Sequence, residues 1–303
     1  MSKKNVKKKQ GWFFNKYEDK KDGVIRGYDV RSTKVKILCI LIMILCFAFV
    51  LVSIFPVIWV FLASFKDIKE FTREVSILPK KFDFSKIKTT WNALKFQKYY
   101  MNSLISVAGS VVFAVIFNGL LAYGFAILRP KGYKVAFGLV MWSLLIPATT
   151  SIVAVFRNIN MVGLSSSFLP LWLAFGANAF YVILFKEFFQ EIPKELLEAA
   201  KLDGAGVLKV FSSIMIPLSK PIIMVVVIFA ITAAWSDFLL PYLVLNGSGK
   251  ETVMVKLFSF NDTPTDAVSV LRAALFAIIP PTILFAVFQK QITDGATAGA
   301  VKG

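Results

Sequence analysis

Asp237 is the one acidic residue within a long apolar run, with Trp235 and Ser236 before it and Tyr242 after it. An ionisable group in such surroundings is a functional candidate by default, although a hydrated residue at a helix end gives the same pattern. Trp235, Tyr242, Asn118 and Asn178 could line a path for a hydroxylated solute, which needs hydrogen bonds and an aromatic face. The same residue types also act as interface anchors and as glue between helices. Catalysis has little to draw on here. Histidine is absent, which removes imidazole acid–base chemistry, Ser-His-Asp and Cys-His pairs and any His-ligated metal. Cys39 and Cys46 are about 10 Å apart along a helix, too far for a disulfide, and read as small buried hydrophobes. No G-x4-G-K-S/T phosphate loop occurs, so the chain does not cradle ATP in the usual way. No catalytic residue, metal or cofactor is assigned to it.

The elements that must position these residues are membrane spans. The chain is 57% hydrophobic and only 17% charged, where a soluble domain carries about 25% charged residues. A formal charge of +17 must then sit in loops, and no basic helix with stacking aromatics points to nucleic acid. Six apolar segments, at about 37–65, 99–128, 135–156, 166–189, 219–245 and 267–289, are each long enough to cross the hydrocarbon. The first is too long for a signal peptide and has no small-residue cleavage site behind it, so it is expected to remain as a span. Residues 1–36 form a basic arm with twelve Lys and Arg against four acids, and the 129–134 connector adds Arg129, Lys131 and Lys134. Both belong inside by the positive-inside rule, which puts both termini in the cytoplasm. The 66–98 loop resists the rule, with nine basic and four acidic residues on the outer side. Prolines at 56, 147, 170, 241 and 280–281 mark kinks or ends that neighbouring helices satisfy, a moving hinge at Pro280-Pro281 being the less favoured reading. Gly119, Ala122, Gly124 and Ala126 suit close helix contact. Arg272, inside the last span, is expected to snorkel outward.

Between the fourth and fifth spans the chain turns polar. Pro193 suits the first turn of a helix, and 194–202 contains strong helix formers. Leu196, Ala199 and Ala200 are expected on one face, with Glu195, Glu198 and Lys201 on another. Asp203-Gly204 is a turn signal, Gly204 taking a backbone angle that a side chain would oppose. A second short helix should follow, with Pro217 and Pro221 opening the fifth span. An amphipathic connector lying on lipid is the bland alternative, but Ala199, Ala200, Gly204 and Gly206 are too small to anchor there and permit close protein contact.

In the order E-A-A-x3-G-x9-I-x-L-P, the residues Glu198, Ala199, Ala200, Gly204, Ile214 and Pro217 match the EAA loop of ABC importer permeases, with Ile216 in place of Leu. Asn102-Ser103-Leu104, Met161-Val162-Gly163-Leu164, 235–241 and the tail 297–303 extend the likeness. From about residue 36 onward the chain resembles the carbohydrate-uptake permeases of the maltose-transporter type, specifically the smaller of the two paired subunits. The resemblance implies an all-α polytopic protein of the bacterial cytoplasmic membrane, with six transmembrane helices and a cytoplasmic coupling helix between spans 4 and 5. It implies ATPase coupling through Glu198, Ala199, Ala200, Asp203, Gly204 and Pro217 in the 190–217 loop. The 290–303 tail, in which Asp294 to Gly303 is too small and flexible to pack as a helix on its own, would dock through Gly299, Ala300, Val301, Lys302 and Gly303 between the ATPase subunits. The implied partners are a second, related permease in a heterodimer, two ATPase subunits that bind ATP and Mg2+, and an extracytoplasmic sugar-binding protein. The external 246–266 loop would reach into that protein's cleft. The resemblance thus implies a non-catalytic permease subunit, half of a sugar translocation pathway. A lone sugar carrier driven by an ion gradient, or a membrane scaffold, are the rival readings.

Overall fold

The computed structural model describes residues 33–74, 76–260 and 265–300, without the side chains of 148 and 290–300. The basic arm expected over 1–36 lies outside the described residues up to residue 32, as do Val301, Lys302 and Gly303. The chain divides into two units, Met1–Trp59 and Val60–Gly303. The described part of the first is most of α1 (Thr33–Ala63), whose 31 residues would extend about 46 Å. Its most apolar stretch has a mean hydropathy of 3.3, and no side chain over 33–59 is buried. Such a helix is hydrophobic all round and needs lipid or another protein to cover it.

In the second unit the 66–98 segment is folded rather than a plain loop. It holds α2 (Ile68–Arg73) and α3 (Phe84–Ala93). Each acid there is engaged within the segment. Asp67 pairs with Lys86 at 3.0 Å, Glu74 pairs with Lys80, and the Glu70 carboxylate accepts the Lys80 amide at 2.8 Å. Asp83 caps α3, and the Ser85 hydroxyl and amide hold its carboxyl below the usual carboxylate range. Buried Lys66 donates to the Ser76 carbonyl and hydroxyl.

At the centre of the second unit is α4 (Phe96–Tyr123), which continues as a π turn over Gly124–Leu128. It packs against α7 (Leu169–Gly176), α8 (Ala179–Gln190) and α12 (Lys220–Ser236). Small residues allow this. A Cβ on Gly109 would sit 2.1 Å from the Trp172 ring, and Gly119 receives the Phe211 ring. Between α4 and α7 lie α5 (Tyr133–Ser143), a 3-10 turn at Ala148–Ser151 and α6 (Ile152–Met161). The span expected over 135–156 is therefore not one helix. Pro147 has no amide to donate and sits outside the helical region at ψ 128°, between the end of α5 and the 3-10 turn.

After α8 come α9 (Lys194–Leu202), α10 (Val207–Val210), a π turn at Phe211–Met215 and α11 (Ile216–Leu218), which lead into α12. The remaining helices are α13 (Leu239–Leu245), α14 (Val253–Ser259) and α15 (Ala267–Ala300). No strand occurs among the described residues. Among the described residues three helices are long and apolar enough to cross a membrane, Thr33–Ala63, Phe96–Leu128 and Ala267–Gln289. Counting the bent pairs α7–α8 and Val207–Leu218 with α12 gives up to five. Two further expectations change. The tail expected to be non-helical continues α15 as far as Ala300, because extending an existing helix adds one bond per residue without the cost of a nucleus. Arg272 does not snorkel: its guanidinium donates to the Ser64 and Lys66 carbonyls at 2.8 and 2.9 Å and to the Thr90 hydroxyl at 3.1 Å. Each of these bonds carries the guanidinium charge and is stronger than one between neutral groups.

Candidate coupling site and translocation path

The polar 190–217 segment is built as two short helices around one tight turn. Pro193 sits at the N-cap of α9, where its missing N–H costs nothing. At the other end the Ala205 amide donates to the Ala200 carbonyl and the Gly204 amide to the Lys201 carbonyl, at 2.9 and 3.0 Å. These paired bonds form a Schellman stop, which needs a left-handed residue after the cap. Gly204 supplies it with φ +75°.

The sides of α9 differ from the expected division. Leu197 and Ala200 are the buried pair, and they join a core with Phe185 and Phe189 of α8, Val210, Phe211 and Met215. Leu196 and Ala199 face outward with Glu195, Glu198 and Lys201. Four exposed apolar side chains therefore ring the turn, Leu202 at 89% and Leu208 at 72% exposure being the most open, with Leu196 and Val207 beside them. Asp203, Gly204 and Pro217 are exposed too. One side of the segment is locked into the helical body and the other presents an apolar surface set among charges of both signs, Glu195, Glu198 and Asp203 with Lys201 and Lys209. Downstream, the chain bends by 81° between Val207–Leu218 and α12. The Ser219 amide, bonded to Met215 and Ile216 carbonyls, and the flanking Pro217 and Pro221 fix that corner.

The five candidate path residues do not converge on one point. Asn118 is fully buried and bonded: its amide donates to the Ala114 and Phe175 carbonyls at 2.7 and 2.8 Å, and its oxygen accepts the Asn178 amide at 2.9 Å. Asn178 in turn caps α8 through Tyr181 N–H at 3.2 Å. The pair holds the 43° bend between α7 and α8 together. Trp235 is buried as well and donates to the Ala277 carbonyl at 3.0 Å. Asp237 lies in the gap between α12 and α13, where its carboxylate accepts the Leu239 and Leu240 amides. Tyr242 meets the Phe258 ring edge-on at 5.2 Å, and Phe258 stacks with Phe238 at 5.1 Å. Phe238 and Phe258 extend the aromatic set beyond the residues chosen from sequence. The only hint of them was their position on either side of the polar 246–252 turn. That turn is tied down, with Asn102 donating to the Glu251 carbonyl at 3.0 Å and Val253 N–H donating to Ser103 at 2.9 Å. Helix α14 and residues 261–264, outside the described set, follow it, so the loop expected over 246–266 is helical in its middle.

The sequence pattern of the family described as "Binding-protein-dependent transport system inner membrane component" matches residues 30–295. The melibiose/raffinose/stachyose import permease protein MelC of Bacillus subtilis is 31% identical over 75% of this chain and 84% of its own length. The galactooligosaccharides transport system permease protein GanQ of the same organism is 32% identical, covering 83% and 91%. For the arabinooligosaccharides transport system permease protein AraQ, also of that organism, the identity is 29% over 84% and 92%. In fold, the chain superposes on a chain of a bacterial ABC transporter involved in alginate import, with TM-score 0.77 at 24% identity over 86% of this chain and 98% of that one. With an all-helical body, membrane-length apolar helices and a family match from residue 30 to 295, the chain belongs to the binding-protein-dependent transport system inner membrane components, the permease subunits of ABC importers.

Proposed function

We propose that this chain forms half of the translocation pathway of an ATP-driven, binding-protein-dependent sugar importer in the bacterial cytoplasmic membrane. The carrying observation is the two-sided 190–217 segment, anchored by Leu197 and Ala200 and open at Leu196, Glu198, Leu202 and Leu208. A surface of that kind fits a partner that pushes on it. In this reading the chain crosses the membrane six times with both termini inside, the bent α5–α6 region supplying the crossing that no single helix provides. The partners are a second permease, two ATPase subunits carrying ATP and Mg2+, and an extracytoplasmic sugar-binding protein. Closure of the ATPase dimer displaces α9, and because Leu197, Ala200 and Phe211 are packed into the same core as α4 and α8, that displacement moves the helices as rigid bodies. The end of α15 at Gly299 and Ala300, with Val301–Gly303 beyond the described residues, is placed near the ATPase. Named relatives that import oligosaccharides support the solute class. Asp237 and Tyr242, with Phe238 and Phe258, are the proposed sugar-facing set, while Asn118, Asn178 and Trp235 position the helices around it.

Affinity purification of the tagged chain, co-expressed with the proteins encoded beside it, tests the assembly. The expected result is stoichiometric recovery of an ATPase and a second permease. A chain that purifies alone and accumulates sugar on an ion gradient contradicts it.

A further inference from the structure

Pro280 and Pro281 lie inside α15, and neither can donate to the carbonyl four residues back. The carbonyls so orphaned are those of Phe276 and Ala277. Both are taken up from outside the helix: the Tyr100 hydroxyl of α4 donates to Phe276, and the Trp235 indole of α12 donates to Ala277 at 3.0 Å. Two adjacent losses are met by two separate donors on two separate helices.

The helix differs on either side of this point. Over 267–279 it is clamped: Arg272 is bonded to 64–66 and to Thr90, and Ala273 and Phe276 are buried against Phe96 and Trp91. Beyond the prolines, Ile283, Phe285 and Val287 are 58–61% exposed. Between this second half and the body is an apolar cavity of about 490 Å3, with Leu104 and Ile231 on one wall and Leu284, Val287 and Phe288 on the other. Tyr100, Trp235, Pro280 and Pro281 close its head.

We infer that α15 hinges at Pro280–Pro281, with Tyr100 and Trp235 as positioning residues that hold the first half fixed while the second half swings into this cavity. Two of the backbone bonds that would stiffen an ordinary helix, at 276–280 and 277–281, are absent, so bending there meets less resistance than elsewhere in α15. The two side-chain donors keep the carbonyls satisfied throughout, because they act on the clamped side. The empty apolar space gives the moving half somewhere to go without desolvating a polar group. The inference rests on the transport reading only for what the motion is used for; the hinge itself is a property of this chain.

The test uses the full chain in lipid nanodiscs, with Cys39 and Cys46 replaced by serine. Nitroxides are placed at Lys88→Cys, on α3 beside the clamped half, and at Phe285→Cys, on the free half. The expected distance distribution is broad in the parent and narrow in Pro280→Ala/Pro281→Ala, whose restored amides bond Phe276 and Ala277 within the helix. Tyr100→Phe or Trp235→Phe should broaden the parent further and change nothing in the double-alanine background. Equally narrow distributions in the parent and the double-alanine chain would overturn the hinge, and so would equal effects of Tyr100→Phe in both backgrounds. In the assembled transporter the double-alanine chain should lose several-fold in uptake per ATP hydrolysed; undiminished uptake would overturn the use of the hinge in transport. A parent complex without ATP-dependent uptake would instead sink the transport reading, leaving the nanodisc distances to decide the hinge.

Discussion

At the residue scale, two positions in the coupling segment make separable demands. Glu198 is exposed on the open side of α9, so reversing its charge leaves the buried Leu197–Ala200 face intact. If it meets a basic group across a partly desolvated interface, Glu198→Lys costs on the order of 2–5 kcal/mol of association. The expected outcome is normal membrane insertion with loss of the ATPase on purification; full retention of the ATPase would count against a docking role. Gly204 has φ +75° with no atom within 4 Å of where a Cβ would be. Its substitution is therefore a conformational cost rather than a clash within the chain, about 1–2 kcal/mol for a β-branched residue in the left-handed region. Gly204→Val should weaken ATPase retention and Gly204→Asn should largely restore it, since Asn tolerates that conformation. Equal behaviour of the two variants in the same pull-down would mean that contact with the partner, not the turn, sets the requirement.

At the element scale, the broken helices matter most. The Asn118 side chain bridges the two sides of the α7–α8 bend, and Asn118→Leu would strand the Phe175 carbonyl and the Asn178 amide in the core. Each stranded buried group costs about 1–3 kcal/mol. A clearly lower melting temperature of the purified chain is expected, and an unchanged one would show that the bend has other support. These breaks also mark where sequence reading stops. The α9 stop was legible because its cause is local: Asp203-Gly204 sits where the helix formers end. The 135–156 segment read as one span because it carries no charge, although Pro147 and the polar Thr149-Thr150-Ser151 run where it divides are visible in the sequence. Trp235 and Asn118 read as path candidates because a polar group in an apolar run looks free until its acceptor is known. Those acceptors lie 42 and 57 residues away, and no period in the sequence encodes such a pairing. Arg272 is the same case at a separation of 208 residues.

For the whole molecule, one core joins the coupling segment to the helices that would move. Leu197, Ala200, Phe211 and Met215 share it with Tyr123 of α4, Phe185 of α8 and Val226 of α12. Force applied at α9 is thus carried by packed side chains with few voids to absorb it. The chain has no G-x4-G-K-S/T phosphate loop, and in the proposed reading that force comes from an ATPase subunit. The most direct measurement is uptake of radiolabelled oligosaccharide into proteoliposomes holding the chain, its second permease and the ATPase, with binding protein on the substrate side. The predicted result is uptake that requires ATP and the binding protein and disappears when the ATPase is omitted. Accumulation by the chain alone, driven by a proton or sodium gradient and indifferent to ATP, would contradict it.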